Sequence, residues 1–420
     1  MAPAERIFVL DALRGVSVLG LLAANIVLFA YPTAKATSME GWSGMEAALR
    51  LAVGALVEGK FYTLFSILFG VGLWMQAERA ATAGRRFGRF WVRRMAALAV
   101  IGLFHGILFF PGDILLFYAI VGLVALPLRR LNRRVLAAAA IAVFLLGLVA
   151  IGIHAAVYPE APSPRAPDWE ALATAAQKGS TAELPKSLWK DWLADQDPTM
   201  LRFMADEVRI VKSGSWADLV RHQAINFLLV NMSLRMVFTI WWVMAYFMIG
   251  VWIAKSFDFK GPAPGTSSLV GVGVGGFLVG MVLQGIGSGV RVPGHVAMST
   301  SIGLGLVLLG TLCLAAAYAA ALVGLDARAK LRTVLWPLAA TGRMSLSNYV
   351  GQSIICAAIF NGWGLGLFGA LPFTKALLLV LVIYALQVIA SALWMAWFRY
   401  GPLEWAWRCA SYGVRQPLLR

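Results

Sequence analysis

The chain has 420 residues and a net charge of +16; 60% of its residues are hydrophobic and 13% are charged. With a mean hydropathy of +0.76, an ordinary soluble domain is excluded, and apolar runs of about 20 residues predict helices that cross a hydrocarbon core of roughly 30 Å. The positive charge does not point to nucleic acid. It gathers between the apolar runs, at Arg79, Arg85, Arg86, Arg89, Arg93 and Arg94 and again at Arg129, Arg130, Arg133 and Arg134. That is the excess of Lys and Arg kept on the cytoplasmic side of membrane proteins, with anionic lipid as its partner.

Ten spans are predicted in chain order, at approximately 9–31, 58–78, 95–111, 114–128, 135–157, 236–255, 267–289, 298–323, 340–360 and 376–398. Both termini and every densely basic loop then fall on the cytoplasmic side. The expected fold class is an all-α integral membrane protein with one long extracytoplasmic segment. Its expected divisions are a five-helix membrane half (1–157), an extracytoplasmic and interfacial segment (158–235) and a second five-helix half with a cytoplasmic tail (236–420). Within the segment 158–221, a proline-rich linker precedes Trp169, Trp189, Trp192, Phe203 and Trp216 spaced among charges, a pattern suited to helices lying on the membrane surface. Residues 46–57 are expected to form a short amphipathic helix leading into the second span.

The first span carries Asp11, Arg14 and Asn25. A charge near the centre of a bilayer costs roughly 2.5–3.5 kcal/mol on insertion scales, so these residues need a structural or functional reason. Arg14 and Asn25 lie about three helical turns apart, roughly 16 Å, on nearly the same face, which marks a helix lining a site. The run lacks a small-residue cleavage site and has only Arg6 as a clear positive charge ahead of it, so it is expected to stay as a signal-anchor helix.

In the second span Lys60 enters from the outer side, with two readings open: an ammonium that snorkels outward, or one turned inward to bind a ligand. Gly70 and Gly72 permit close helix packing. In the third span His105 lies about eleven residues beyond Arg94, roughly 16 Å into the bilayer. A neutral imidazole there is a candidate general base. Asp113, after Pro111-Gly112, either caps the next helix or joins the chemistry.

The ninth span starts near Arg343, a position unfavourable to the helix dipole that predicts an anionic partner. Ser345, Asn348, Tyr349 and Gln352 follow at spacings of three and four. Either they line a cavity or they make interhelical hydrogen bonds. In the tail, Glu404 is expected to pair with Arg408 at i, i+4. Cys313, Cys356 and Cys409 form no disulfide or metal-binding pattern, and the histidines lack ligand spacing, so no metal is expected.

Five segments together resemble the YeiB-like family of bacterial membrane proteins, defined by a domain of unknown function numbered 418. They are Arg6 to Asn25, Gly59-Lys-Phe to Phe69-Gly, His105 to Leu115, Gly342-Arg-Met-Ser-Leu-Ser-Asn-Tyr to Gln352-Ser, and Tyr400-Gly-Pro-Leu-Glu-Trp. The start Leu10-Asp11-x-x-Arg14-Gly15, with a polar side chain at Asn25, is also similar to acyltransferase family 3 and to the heparan-alpha-glucosaminide N-acetyltransferases. The latter carry a catalytic histidine where this chain has Ala36, which leaves His105 to supply the base.

The resemblance implies a protein of the bacterial cytoplasmic membrane that moves an acyl group from cytoplasmic acyl-CoA to an extracytoplasmic small-molecule, lipid or glycan acceptor. In that reading His105, Asn25 and Asp113 are catalytic. Asp11, Arg14, Lys60, Arg343, Ser345, Asn348, Tyr349 and Gln352 hold substrate. The alternatives are a transporter or lipid-binding protein without covalent chemistry, and a membrane scaffold.

Overall fold

Apolar runs as long as a bilayer is thick become helices because no other open conformation satisfies the backbone without water. The computed structural model describes residues 7–37, 39, 41–157, 198–232, 234–257, 264–290, 296–327 and 329–420. The first part of the chain forms α1 (Phe8–Ala30), the short α2 (Thr33–Thr37), α3 (Gly44–Leu56), α4 (Lys60–Thr82), α5 (Phe87–Leu108), α6 (Leu115–Val124) and α7 (Arg133–Val157). Then follow α8 (Pro198–Ser213), α9 (Trp216–Met232) and α10 (Leu234–Ser256). The rest is α11 (Thr266–Gly289), α12 (Val296–Asp326), α13 (Ala329–Arg343), α14 (Ser345–Phe360), α15 (Phe373–Trp397) and α16 (Pro402–Tyr412).

Among the described residues, eight helical stretches are long and apolar enough to cross a membrane, and α6 and α14 are shorter apolar helices of 10 and 16 residues. Together they occupy the ten expected spans, which makes this an all-α, multi-pass membrane protein. Large apolar side chains stand exposed along α7, α11 and α15, among them Leu145, Val282, Leu381 and Leu386, as lipid-facing surfaces do. The amphipathic helix expected at 46–57 is α3, joined directly to α4.

The ninth span is a correction. Helix breaks at Met344 (φ −110°, ψ 26°), so that α13 ends at Arg343 and α14 starts at Ser345. Of the tryptophan-bearing outer segment, Trp169, Trp189 and Trp192 lie outside the described residues, Phe203 falls on α8, and Trp216 opens α9 with its ring 5.5 Å from that of Trp363.

α1 is the central element: half of its apolar stretch is buried, the largest share among the eight long spans of the described residues. It packs against α4, α13, α14 and α15. Its crossing with α13 depends on two glycines, since a Cβ on Gly15 would collide with the carbonyl of Leu338, and one on Gly342 with the carbonyl of Asp11. A second close crossing joins α4 to α10 through Gly70 and Gly250, whose added Cβ atoms would strike the carbonyls of Phe247 and Ile67. Gly72 makes no such approach; a Cβ there would meet only Gln76 at 3.7 Å. Both crossings join the expected halves, 1–157 and 236–420, to each other.

The basic clusters meet at one end of the bundle. The Arg94 guanidinium stacks on Trp407 at 3.5 Å, and the Trp407 indole donates to the Arg94 carbonyl at 2.7 Å. Lys255 donates to the carbonyls of Arg129 and Leu131 and lies over Trp74.

Gly342→Ala is expected to destabilise the purified protein by about 1–3 kcal/mol, the cost of overpacking a closed contact. Gly285→Ala on α11, where a Cβ meets nothing within 4 Å, is expected to be neutral or slightly stabilising. Thermal unfolding in detergent compares the two.

Candidate functional site

Three polar residues from two distant parts of the chain converge in the interior. α5 ends at Leu108, and the chain turns back through Pro111 and Gly112 to start α6. Only glycine at position 102 admits this return, because a Cβ there would meet Asp113 Oδ2 at 2.8 Å and the Leu116 nitrogen at 2.5 Å. Asp113 is thereby brought against His105. Its Oδ1 accepts from Nδ1 of the imidazole at 2.8 Å, while Oδ2 accepts the Leu116 N–H at 3.0 Å and so holds the first turn of α6. The same carboxylate therefore holds the start of α6 and bonds the imidazole.

On the other side of the ring, Nε2 lies 2.8 Å from Ser353 Oγ, on α14. With Nδ1–H donating its hydrogen bond to the carboxylate, the Nε2 lone pair accepts a hydrogen bond from the serine hydroxyl. His105, Asp113 and Ser353 are 2%, 0% and 2% exposed, so the chain carboxylate–imidazole–hydroxyl is excluded from bulk water. A hydroxyl, an imidazole and a carboxylate so aligned have the geometry that can serve as nucleophile, base and orienting acid.

The surroundings are aromatic. The Tyr349 ring lies 5.0 Å from His105 and the Phe110 ring 6.3 Å away. Phe227 of α9 seats on Gly106, where an added Cβ would collide with its ring. On α1, Asn25 is half-buried and shares a stripe with Val18, Leu22 and Phe29, three or four residues apart. That stripe faces the site's helices: Gln352 donates to the Val18 carbonyl at 3.2 Å, and Phe29 stacks on Phe110 at 4.6 Å.

The other expected site residues go elsewhere. The polar stripe of α14 divides, with Tyr349 beside His105 while Asn348 and Gln352 are spent between helices. Asn348 donates to Ser391 Oγ at 2.9 Å and to the Thr341 carbonyl at 3.1 Å; Gln352 donates to Gln387 Oε1 at 2.8 Å, and Gln387 to the Asn348 carbonyl at 2.9 Å. Ser345 is half-buried in the first turn of α14.

Lys60 does not snorkel. It is 1% exposed, and its ammonium donates to the Gly54 carbonyl at 2.8 Å and to Gln284 Oε1 at 3.0 Å. Asp11 and Arg14 pair with each other at 2.9 Å, one turn apart. Arg343 closes α13 instead of opening the next helix, so the dipole now favours its charge. It lines a cleft of about 180 Å³ with Phe8, Asp11, Arg332 and Trp336 at the end of α1. Among the described residues no group of three or more His, Cys, Asp or Glu side chains is placed to hold a metal ion.

The partners of Ser353 and Glu404 escaped the sequence reading. Ser353 sits at i+4 from Tyr349, the one local hint, but its partner is 248 positions away. Glu404 turns from Arg408 to the N-terminus of α14. There its Oε1 accepts from the Leu346 and Ser347 nitrogens at 2.7 and 3.1 Å, and its Oε2 from the Ser347 hydroxyl at 2.5 Å. Arg408 lies over the rings of Tyr400 and Tyr412. This anchor sets where α14, and hence Ser353, begins.

Burial pushes the Glu404 carboxyl above the ordinary range, and the donors of Ser347 and Leu346 only partly offset it. A raised folded-state pKa gives stability that is complete below the unfolded value and lost as pH rises through the folded one. Wild type is therefore expected to gain in unfolding temperature, relative to Glu404→Gln, as the buffer is taken from neutral to mildly acidic.

A family model described as "Protein of unknown function (DUF418)" matches residues 253–414. The chain is 30% identical to "Uncharacterized protein YxaH" of Bacillus subtilis (strain 168), over 99% of this chain and 96% of that protein. It is 28% identical to "Uncharacterized protein YeiB" of Escherichia coli (strain K12), over 99% and 98% of the two chains. No solved structure matches. With its fold and its full-length similarity to these bacterial proteins, the chain belongs to the DUF418, or YeiB-like, family of multi-pass membrane proteins.

Proposed function

We propose that this protein is an acyltransferase of the bacterial cytoplasmic membrane, moving an acyl group from a cytoplasmic acyl-CoA to a hydroxyl or amine on the opposite side. The observation that carries the reading is His105, held in one orientation by Asp113 and presenting Nε2 to a hydroxyl 2.8 Å away. An imidazole so oriented is a ready general base, and positioned proton transfer contributes typically 10²–10⁴-fold to rate. Asn25 donates to the developing acyl oxyanion. The cleft with Arg332 and Arg343 at the basic end takes anionic phosphate of the donor, and Arg14 is paired with Asp11 of its lining. Tyr349 packs on the imidazole and limits its rotation.

A second reading, a transporter or lipid-binding protein without covalent chemistry, draws on Lys60. An ammonium buried in a spanning helix and held by Gln284 is the kind of group found along a substrate pathway. Proteoliposomes separate the two, since solute flux without product belongs to transport.

For the acyltransferase, acyl-CoA-dependent labelling of an acceptor extract is expected to fall by about 10²-fold or more in His105→Ala and to drop markedly in Asp113→Asn. Labelling at the wild-type rate by a folded His105→Ala protein would remove His105 from the mechanism.

A further inference from the structure

Of the buried helix serines among the described residues, three bond back to their own helix, Ser391 meets the Asn348 amide, and Ser353 meets a histidine. Ser17, Ser66 and Ser411 each donate to the carbonyl four residues earlier, at 2.7, 2.8 and 2.6 Å. That bond satisfies the hydroxyl's proton within its own helix, even where, as at Ser66, a second hydroxyl (Tyr118) lies 2.9 Å away. Ser353 stands 3.4 Å from the Tyr349 carbonyl, too long for a good bond, and is turned to His105 Nε2 at 2.8 Å. A serine needing only to be satisfied would not require a histidine, nor that histidine a buried carboxylate.

We propose that Ser353 is a nucleophile that carries the acyl group covalently between donor and acceptor, a role that rests on the acyl-transfer reading above. In the first half, Ser353 Oγ attacks the thioester carbonyl of acyl-CoA while His105 Nε2 takes the hydroxyl proton. The C–S bond breaks, the departing thiolate takes that proton from His105, and an ester remains on Ser353. In the second half, the acceptor hydroxyl or amine attacks the ester carbonyl and gives its proton to His105. The C–O bond to Ser353 breaks, and the proton returns to Oγ. Asp113 stabilises the imidazolium in both halves.

The dry surroundings protect the ester from hydrolysis. Two half-reactions at one serine also free donor and acceptor from being bound at once, which suits substrates arriving from opposite faces of a membrane.

The test uses the full-length protein in detergent, treated with an alkyne-bearing alkyl fluorophosphonate and read by mass spectrometry of the peptide adduct. The adduct is expected on Ser353, absent in Ser353→Ala, and formed roughly 10²-fold more slowly in His105→Ala. Ser353→Cys, which keeps a nucleophile in nearly the same volume, is expected to fold and to be alkylated by iodoacetamide faster than Cys356.

In parallel, transfer from acetyl-, octanoyl- and palmitoyl-CoA is measured for each variant. Wild-type protein with no adduct on Ser353, or a folded Ser353→Ala that still transfers acyl groups while His105→Ala does not, overturns the covalent step and leaves His105 as base. An adduct on Ser353 without transfer from any acyl-CoA keeps the nucleophile and overturns the donor assignment.

Discussion

A polar group left unpaired in hydrocarbon costs several kcal/mol, because no water is there to replace a missing partner. The interface of α1, α14 and α15 is arranged around that cost. Gln352 reaches the Val18 carbonyl and Gln387, Gln387 returns to the Asn348 carbonyl, Asn348 holds Ser391 and the Thr341 carbonyl, and Tyr384 donates to the Gly15 carbonyl at 2.8 Å. These bonds specify register as well as adding stability, since a slip of one residue on α14 would strand several buried amides together. The glycine crossing of α1 with α13 acts alongside them by bringing backbone to backbone at Gly15 and Gly342.

The two ends of the bundle finish the frame by different means. At the basic end, the Arg94 guanidinium lies over Trp407, whose indole donates to the Arg94 carbonyl, and the Lys255 ammonium lies over Trp74 while donating to the carbonyls of Arg129 and Leu131. Such pairs suit a membrane edge, where one side of a residue is apolar and the other wet. At the other end of α1, Tyr31, Trp42 and Phe373 form an aromatic cluster with the Lys35 ammonium over the first two rings. Glu207 on α8 there accepts the Thr33 N–H and hydroxyl and ties α8 to α2. His105, Asp113 and Ser353 lie between these ends, on helices whose positions are already set.

That rigidity bears on the chemistry. A base gains its effect when the ring is held and its second nitrogen is aimed, and Asp113 does both while also holding the start of α6. The same carboxylate thus couples local helix geometry to the proposed reaction. Glu404 plays the corresponding part for the serine side by setting the N-terminus of α14.

Much of this architecture was legible in one dimension, because a bilayer imposes a length and a polarity that any apolar run must meet. The multi-pass helical class, the approximate place of each apolar helix apart from the break in the ninth span, the gathering of Arg79 to Arg94 with Arg129 to Arg134 at one end, and the family follow from residues in order. His105 and Asp113 were also visible, as ionisable groups where ionisable groups are costly. Local spacing could not say what lies across a helix interface. It made Arg343 the start of a helix that it ends, left Lys60 open between water and the interior where it bonds Gln284, and gave no role to Ser353 beside Gln352. Partners 248 and 224 positions apart meet only when the bundle closes. The sequence alone therefore determined the class, the spans and the candidates, whereas the pairing of His105 with Ser353 was decided by the tertiary structure, because a hydrogen bond depends on distance in space and not along the chain.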